Sequence, residues 1–91
     1  MRGSFVREWL PLPPDYFKSV GLTLKGRGAW RQALCPFHED TRASLQVQYA
    51  QGAFRCLACG AKGGDVLAFH RLKTGLGFKE AAIQLGAWKV S

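Results

Sequence analysis

Four side chains stand out as able to do chemistry together. Cys35-x-x-His38 lies in "LCPFHED" and Cys56-x-x-Cys59 in "RCLACGAKGGD", with seventeen residues between the two pairs. Two x-x pairs separated by a strand hairpin have the spacing of a zinc ribbon. Each pair sits on a tight knuckle, and the hairpin folds back until the knuckles face each other. Zn²⁺ then takes three sulfurs and one imidazole nitrogen in a tetrahedron. Four protein ligands leave no position for water, so such a site is structural rather than catalytic. Other readings of the same residues are weaker. A thioredoxin-like redox pair needs a strand–C-x-x-C–helix unit in a βαβ context, which is missing, and it would leave Cys35 and His38 idle. A catalytic Cys35–His38 pair has poor geometry on a proline-containing turn. Fe²⁺ can bind adventitiously, but ligation by three sulfurs and one nitrogen with no redox need points to zinc. His70 reads as a helix residue rather than a fifth ligand.

These knuckles need elements to hold them. Pro13 and Pro14 suit a helix entry, because a first-turn residue needs no N–H partner. Asp15 complements that helix N-terminus. A helix is expected over 14–20, ended by Gly21, with Tyr16, Phe17 and Val20 on one side. "LTLKGRGAWRQAL" predicts a hairpin that turns around Lys25-Gly26-Arg27-Gly28. A second hairpin follows, in which Leu45, Val47 and Tyr49 alternate with Ser44, Gln46 and Gln48. It turns at Gln51-Gly52 and leads into Phe54, Arg55 and Cys56. Phe54 is expected to point inward and Arg55 outward. Asp65 caps a helix to about Lys73, with Val66, Phe69 and Leu72 inward. A last short helix, 78–86, puts Phe78, Ala82 and Leu85 on one face. The expected fold class is a small α+β zinc ribbon: an antiparallel sheet of about four strands, a short N-terminal helix and two C-terminal helices. The whole chain, 1–91, reads as one domain, with 1–12 extended or partly flexible and 29–60 as the ribbon core.

Thirteen Lys and Arg against six Asp and Glu give a formal charge of +7. Binding one Zn²⁺ through three thiolates removes only one unit of that charge. A strongly basic domain favours a polyanionic partner such as nucleic acid. An odd cysteine number forbids full internal pairing and suggests a reducing, cytoplasmic setting. No apolar run is long enough for a membrane span, so no membrane partner is expected. The few, scattered acidic residues do not make the carboxylate cluster that polymerase chemistry needs to hold Mg²⁺. The chain alone is therefore not expected to be an enzyme.

The residues "CPFHEDTRASLQV", "GAFRCLACGAKGGDVLAFH" and "GFKEAA" resemble the zinc-binding domain of bacterial, phage and plasmid DNA primases, the CHC2 zinc finger. The likeness runs from about Pro13 to Leu85. It implies a zinc ribbon on an antiparallel sheet, one structural Zn²⁺, and Cys35, His38, Cys56 and Cys59 as its ligands. It also implies a place beside a primase catalytic domain or another replication protein, with single-stranded DNA template as partner. One stretch departs from the cellular pattern. Thr41-Arg42-Ala43-Ser44 stands where those primases usually read Lys-Thr-Pro-Ser, which suggests a phage, plasmid or mobile-element relative.

The sequence offers its own candidates for DNA contact. One side of the predicted strands carries Gln46, Gln48 and Arg55, and nearby turns add Lys25, Arg27, Arg31, Arg42 and Lys62. Cations can follow phosphates while a base stacks on a ring. Trp30, between Arg27 and Arg31, either stacks or packs in the core. Gln46 and Gln48 either read base edges or line a solvated strand face, the commoner fate of outward polar residues. Asp40 is a candidate to order the first knuckle by accepting backbone N–H bonds. The competing function is a docking module for a replication polymerase or helicase subunit, with Trp9 and Trp88 as anchors. A double-stranded DNA regulator ranks last, since no helix is dense in basic and amide side chains.

Overall fold

The computed structural model describes residues 3–37 and 43–90. His38, Asp40 and Arg42 lie outside the described residues. Chain order runs β1 (Gly3–Phe5), a 3-10 turn (Arg7–Trp9), α1 (Pro13–Ser19), β2 (Trp30–Ala33), β3 (Leu45–Gln48), β4 (Phe54–Cys56), β5 (Lys62–Gly63), α2 (Val66–Thr74), α3 (Phe78–Gln84) and β6 (Trp88–Val90). This is the expected α+β class, with a four-stranded antiparallel sheet, a short N-terminal helix and two C-terminal helices.

The central sheet runs β2-β3-β4-β5, every neighbour antiparallel. Its membership differs from the sequence expectation. The first arm of the predicted hairpin, before Lys25, is not a strand. It touches β2 only through the Lys25–Gln32 bridge, closed by N–H···O bonds of 2.7 and 2.9 Å. Leu22 and Leu24 pack against the core, and Leu22 N–H bonds back to the Phe17 carbonyl, so this segment follows α1 rather than the sheet. The fourth strand is the two-residue β5. A second, two-stranded sheet pairs β1 with β6, from Gly3 opposite Val90 to Phe5 opposite Trp88.

Period-two patterning explains the core. Leu45, Val47, Phe54 and Cys56 all face inward and are buried. Phe17 and Phe69 meet edge-to-face at 4.9 Å, and Phe54 meets Phe69 at 5.0 Å. Such aromatic pairs add about 0.5–1.5 kcal/mol each beyond the area they bury. The α2 helix begins at the Asp65 cap, whose carboxylate accepts from Ala68 N–H at 2.8 Å and from Arg7 at 2.8 Å. It buries two faces, not one. Val66 and Phe69 enter the main core, while Leu67 joins Ala81 and Ala82 in a second cluster covered by Phe5 and Trp88. Leu72, expected inward, is 51% exposed, because the helix is held between the sheet on one side and α3 on the other. Phe78 is also nearly half exposed, resting edge-on against Phe5 at 5.2 Å. His70 ties the helices together: its Nε2 donates to Gln84 at 2.7 Å, which leaves Nδ1 to accept from the Tyr16 hydroxyl at 3.0 Å. No helix among the described residues is long and apolar enough to cross a membrane.

Candidate metal centre and nucleic-acid face

The sheet register delivers the cysteines. Ala33, Leu45 and Cys56 lie directly opposite one another on β2, β3 and β4. Cys35 follows two residues after Ala33, so it leaves the sheet beside Cys56. The chain then turns sharply at Cys56–Cys59. Gly60, at φ +78°, lets its N–H reach back to the Cys56 carbonyl at 3.1 Å. Cys59 N–H points at Cys56 Sγ from 3.5 Å. The Ser44 hydroxyl also meets Cys56 Sγ at 3.5 Å.

Cys35, Cys56 and Cys59 bring their Sγ atoms within 4.8 Å of one another, and Cys35 and Cys59 are 3.8 Å apart. Tetrahedral zinc with Zn–S bonds of about 2.3 Å separates its sulfurs by about 3.8 Å. The donor set and its spacing therefore fit one zinc site. Cys35 and Cys56 are buried and Cys59 is exposed, so the centre sits at the rim of the core. Burial pushes the Cys35 thiol up to about 12, helped by the neighbouring cysteines and opposed by a backbone hydrogen bond at Phe37. A bound cation reverses that balance, since coordinated thiols are deprotonated.

The other side of the sheet is open and polar. Residues directly opposite in a ladder share a face. The bridge and registers thus set Lys25, Gln32, Gln46, Arg55 and Lys62 side by side across the sheet. With strands about 4.8 Å apart, this row spans about 19 Å. Trp30 and Gln48 form a second pair on the same face. Trp30 is 45% exposed. Arg55 donates to Gln46 Oε1 at 2.8 Å and its guanidinium lies 5.1 Å from the Trp30 ring centre. Gln48 uses its carbonyl oxygen to accept from Gln51 N–H at 2.6 Å. Arg27 is exposed in the turn between Lys25 and β2.

Arg31 does not join this face. It alternates with Trp30 to the core side, where its guanidinium covers the Tyr49 ring at 3.4 Å. Gln32 belongs to the face and was not foreseen. Strict alternation from Trp30 would have found it once Trp30 was placed outward. Ser44, expected to alternate outward with Gln46 and Gln48, instead reaches the metal cluster. Trp88 is not a surface anchor: it lies over the second cluster with the Lys79 ammonium 5.6 Å from its ring, whereas Trp9 is half exposed.

The chain matches the CHC2 zinc finger over residues 17–89. It belongs to the CHC2 zinc-finger family. Its fold is that of a primase zinc-binding domain: the Aquifex aeolicus primase, solved as its zinc-binding and RNA polymerase domains, superposes with a TM-score of 0.71 at 30% identity. That likeness covers 89% of this CHC2 chain and 20% of the Aquifex one. The gene 58 protein of Mycobacterium phage D29 is 38% identical over 74 residues, 81% of this chain and 47% of the phage protein. The DNA primase of Rickettsia conorii is 40% identical over 82 residues, 90% of this chain and 13% of that primase. This CHC2 domain thus spans about half the phage relative and a small part of the cellular ones.

Proposed function

We propose that this domain is a non-catalytic zinc module that binds single-stranded DNA template for primer initiation, together with a primase catalytic domain. Its single Zn²⁺ is held by Cys35, His38, Cys56 and Cys59, with Asp40 ordering the first knuckle. The observation that carries the DNA reading is the cationic and amide row from Lys25 to Lys62 beside an exposed Trp30. Lys25, Arg55 and Lys62 supply charge for phosphates, with Arg27 in the turn before β2 and Arg42 as a further cation. Trp30 offers a stacking surface, and Gln32, Gln46 and Gln48 offer amides to base edges. The setting is intracellular replication, and the phage relative supports a mobile-element origin.

When bound, zinc supplies the cross-link between the two knuckles and keeps its cysteines as thiolates. The protein's own residues do the rest. Ser44 and Cys59 N–H orient Cys56, and Arg55 is braced by Gln46 so that its charge faces outward.

The test is a binding titration of zinc-loaded protein against random single-stranded DNA, repeated across salt concentrations and after chelation. Affinity should fall with salt at a log–log slope of about 0.7 for each phosphate contacted, and chelation should abolish binding. Salt-independent capture of a polymerase or helicase subunit, without DNA binding, would favour the docking alternative, for which half-exposed Trp9 is the remaining anchor.

A further inference from the structure

The open face does not stop at β5. Lys62, the last residue of the cross-strand row, also lines a cleft of about 410 Å³ whose other walls are Ala68, Arg71, Leu72, Gly75 and Leu76. We propose that this cleft takes a further nucleotide of the single strand as it leaves the sheet, with the phosphate on Lys62 and Arg71 and the base or sugar against Leu72 and Leu76. This rests on the reading of the sheet face given above.

Several observations meet here. Among the described residues the ion pair is Arg7–Asp65, so Lys62 and Arg71 bring two uncompensated charges to one cleft. Leu72 is half exposed on a helix that buries its other large apolar residues, which gives the cleft an apolar wall. The carbonyl end of α2 is nearby, but its partial charge of about −0.5 is small against two full cations. The walls are also held at a fixed distance. A Cβ at Gly63 would lie 2.6 Å from Ala68 Cβ and 2.7 Å from Phe54 Cε1, so β5 and α2 approach as closely as glycine permits. Continuity with the cationic row selects the occupant: a strand lying along that row reaches Lys62 and meets Arg71 next.

The experiment uses zinc-loaded protein and labelled oligothymidylates of about four and about sixteen nucleotides, the range of site sizes for single-strand platforms. Arg71→Glu should weaken the longer oligomer on the order of tenfold, as loss of a cation–phosphate contact implies, and leave the shorter one within about twofold. Arg71→Ala should lower the salt slope for the longer oligomer by about 0.7. Lys89→Glu, on β6 and off the sheet face, makes the same change in net charge and should leave both oligomers bound. Equal losses from Arg71→Glu and Lys89→Glu at both lengths would mean a non-specific charge effect and overturn the site. So would Arg71→Glu sparing both oligomers while the wild type binds them. A wild type that binds neither oligomer removes the face reading itself, and this site with it.

Discussion

Cys59 is the exposed member of a buried trio, and that position makes it the most informative single residue. Cys59→Ser keeps the size and loses the soft ligand, at a side chain that is itself outside the core. It should lower zinc content from one ion per chain to well below one, read by elemental analysis of purified protein. Retention of a full equivalent would remove Cys59 from the ligand set. On the open face, Trp30→Ala should weaken single-stranded DNA binding by roughly 5- to 150-fold, the span of about 1–3 kcal/mol per stacked base. Its effect on stability should be small, because the ring is already half in water. Gln32→Ala tests the residue that the sequence did not offer. The reason it was missed is physical. In a short strand, a one-residue ambiguity in which side faces in exchanges the two faces. Trp30 and Arg31 compete for the core on hydrophobicity and charge alone. Only the pairing of Val47 with Arg31, and of Gln48 with Trp30, decides it.

At the scale of elements, the packing of β5 on α2 and the Tyr16–His70–Gln84 chain are the features to probe. Gly63→Ala forces a methyl group into Ala68 and Phe54, and overpacking of that kind costs about 1–3 kcal/mol. Chemical denaturation should show a lower midpoint at unchanged slope. Tyr16 carries a sign that can be checked. Burial raises its hydroxyl from 10.0 to about 12, so the folded state holds the proton more tightly than the unfolded chain. Its stabilising contribution is whole below pH 10 and is lost as pH rises through about 12. Tyr16→Phe should remove that part of the alkaline slope, measured as the difference between the two proteins' unfolding curves. Helices α1, α2 and α3 were legible from Pro13, the Asp65 cap and the shared face of Phe78, Ala82 and Leu85. The strand Lys62–Gly63 was not, since two residues show no period. Nor were both faces of α2: Val66, Phe69 and Leu72 recur at helical spacing, but α3 on the far side selects Leu67 for burial in place of Leu72.

For the whole molecule the decisive quantity is the metal's share of stability. Apparent binding free energies for structural zinc in small modules run about 10–16 kcal/mol, as large as the net stability of typical domains, about 5–15 kcal/mol. The core of this chain is divided into two clusters, which weakens either one alone. Chelation should therefore collapse both near-ultraviolet circular dichroism and DNA binding together. A metal-free protein that keeps a native spectrum and a cooperative melt would show that the aromatic core suffices. The Cys56–Cys59 turn was readable because its two cysteines are close in sequence. The pairing of β1 with β6 was not, because no local pattern links residues at opposite ends of a chain.

That terminal ribbon has a mechanical consequence. Gly3 lies beside Val90, so a force applied at the two ends loads the outermost bonds of β1–β6 first and opens the ribbon like a zipper. The four-stranded sheet lies inboard of it and bears load only afterwards. Tension carried along a longer chain would peel the ribbon from the second cluster, uncovering Trp88 and Phe5, before it reached the cysteine knuckles.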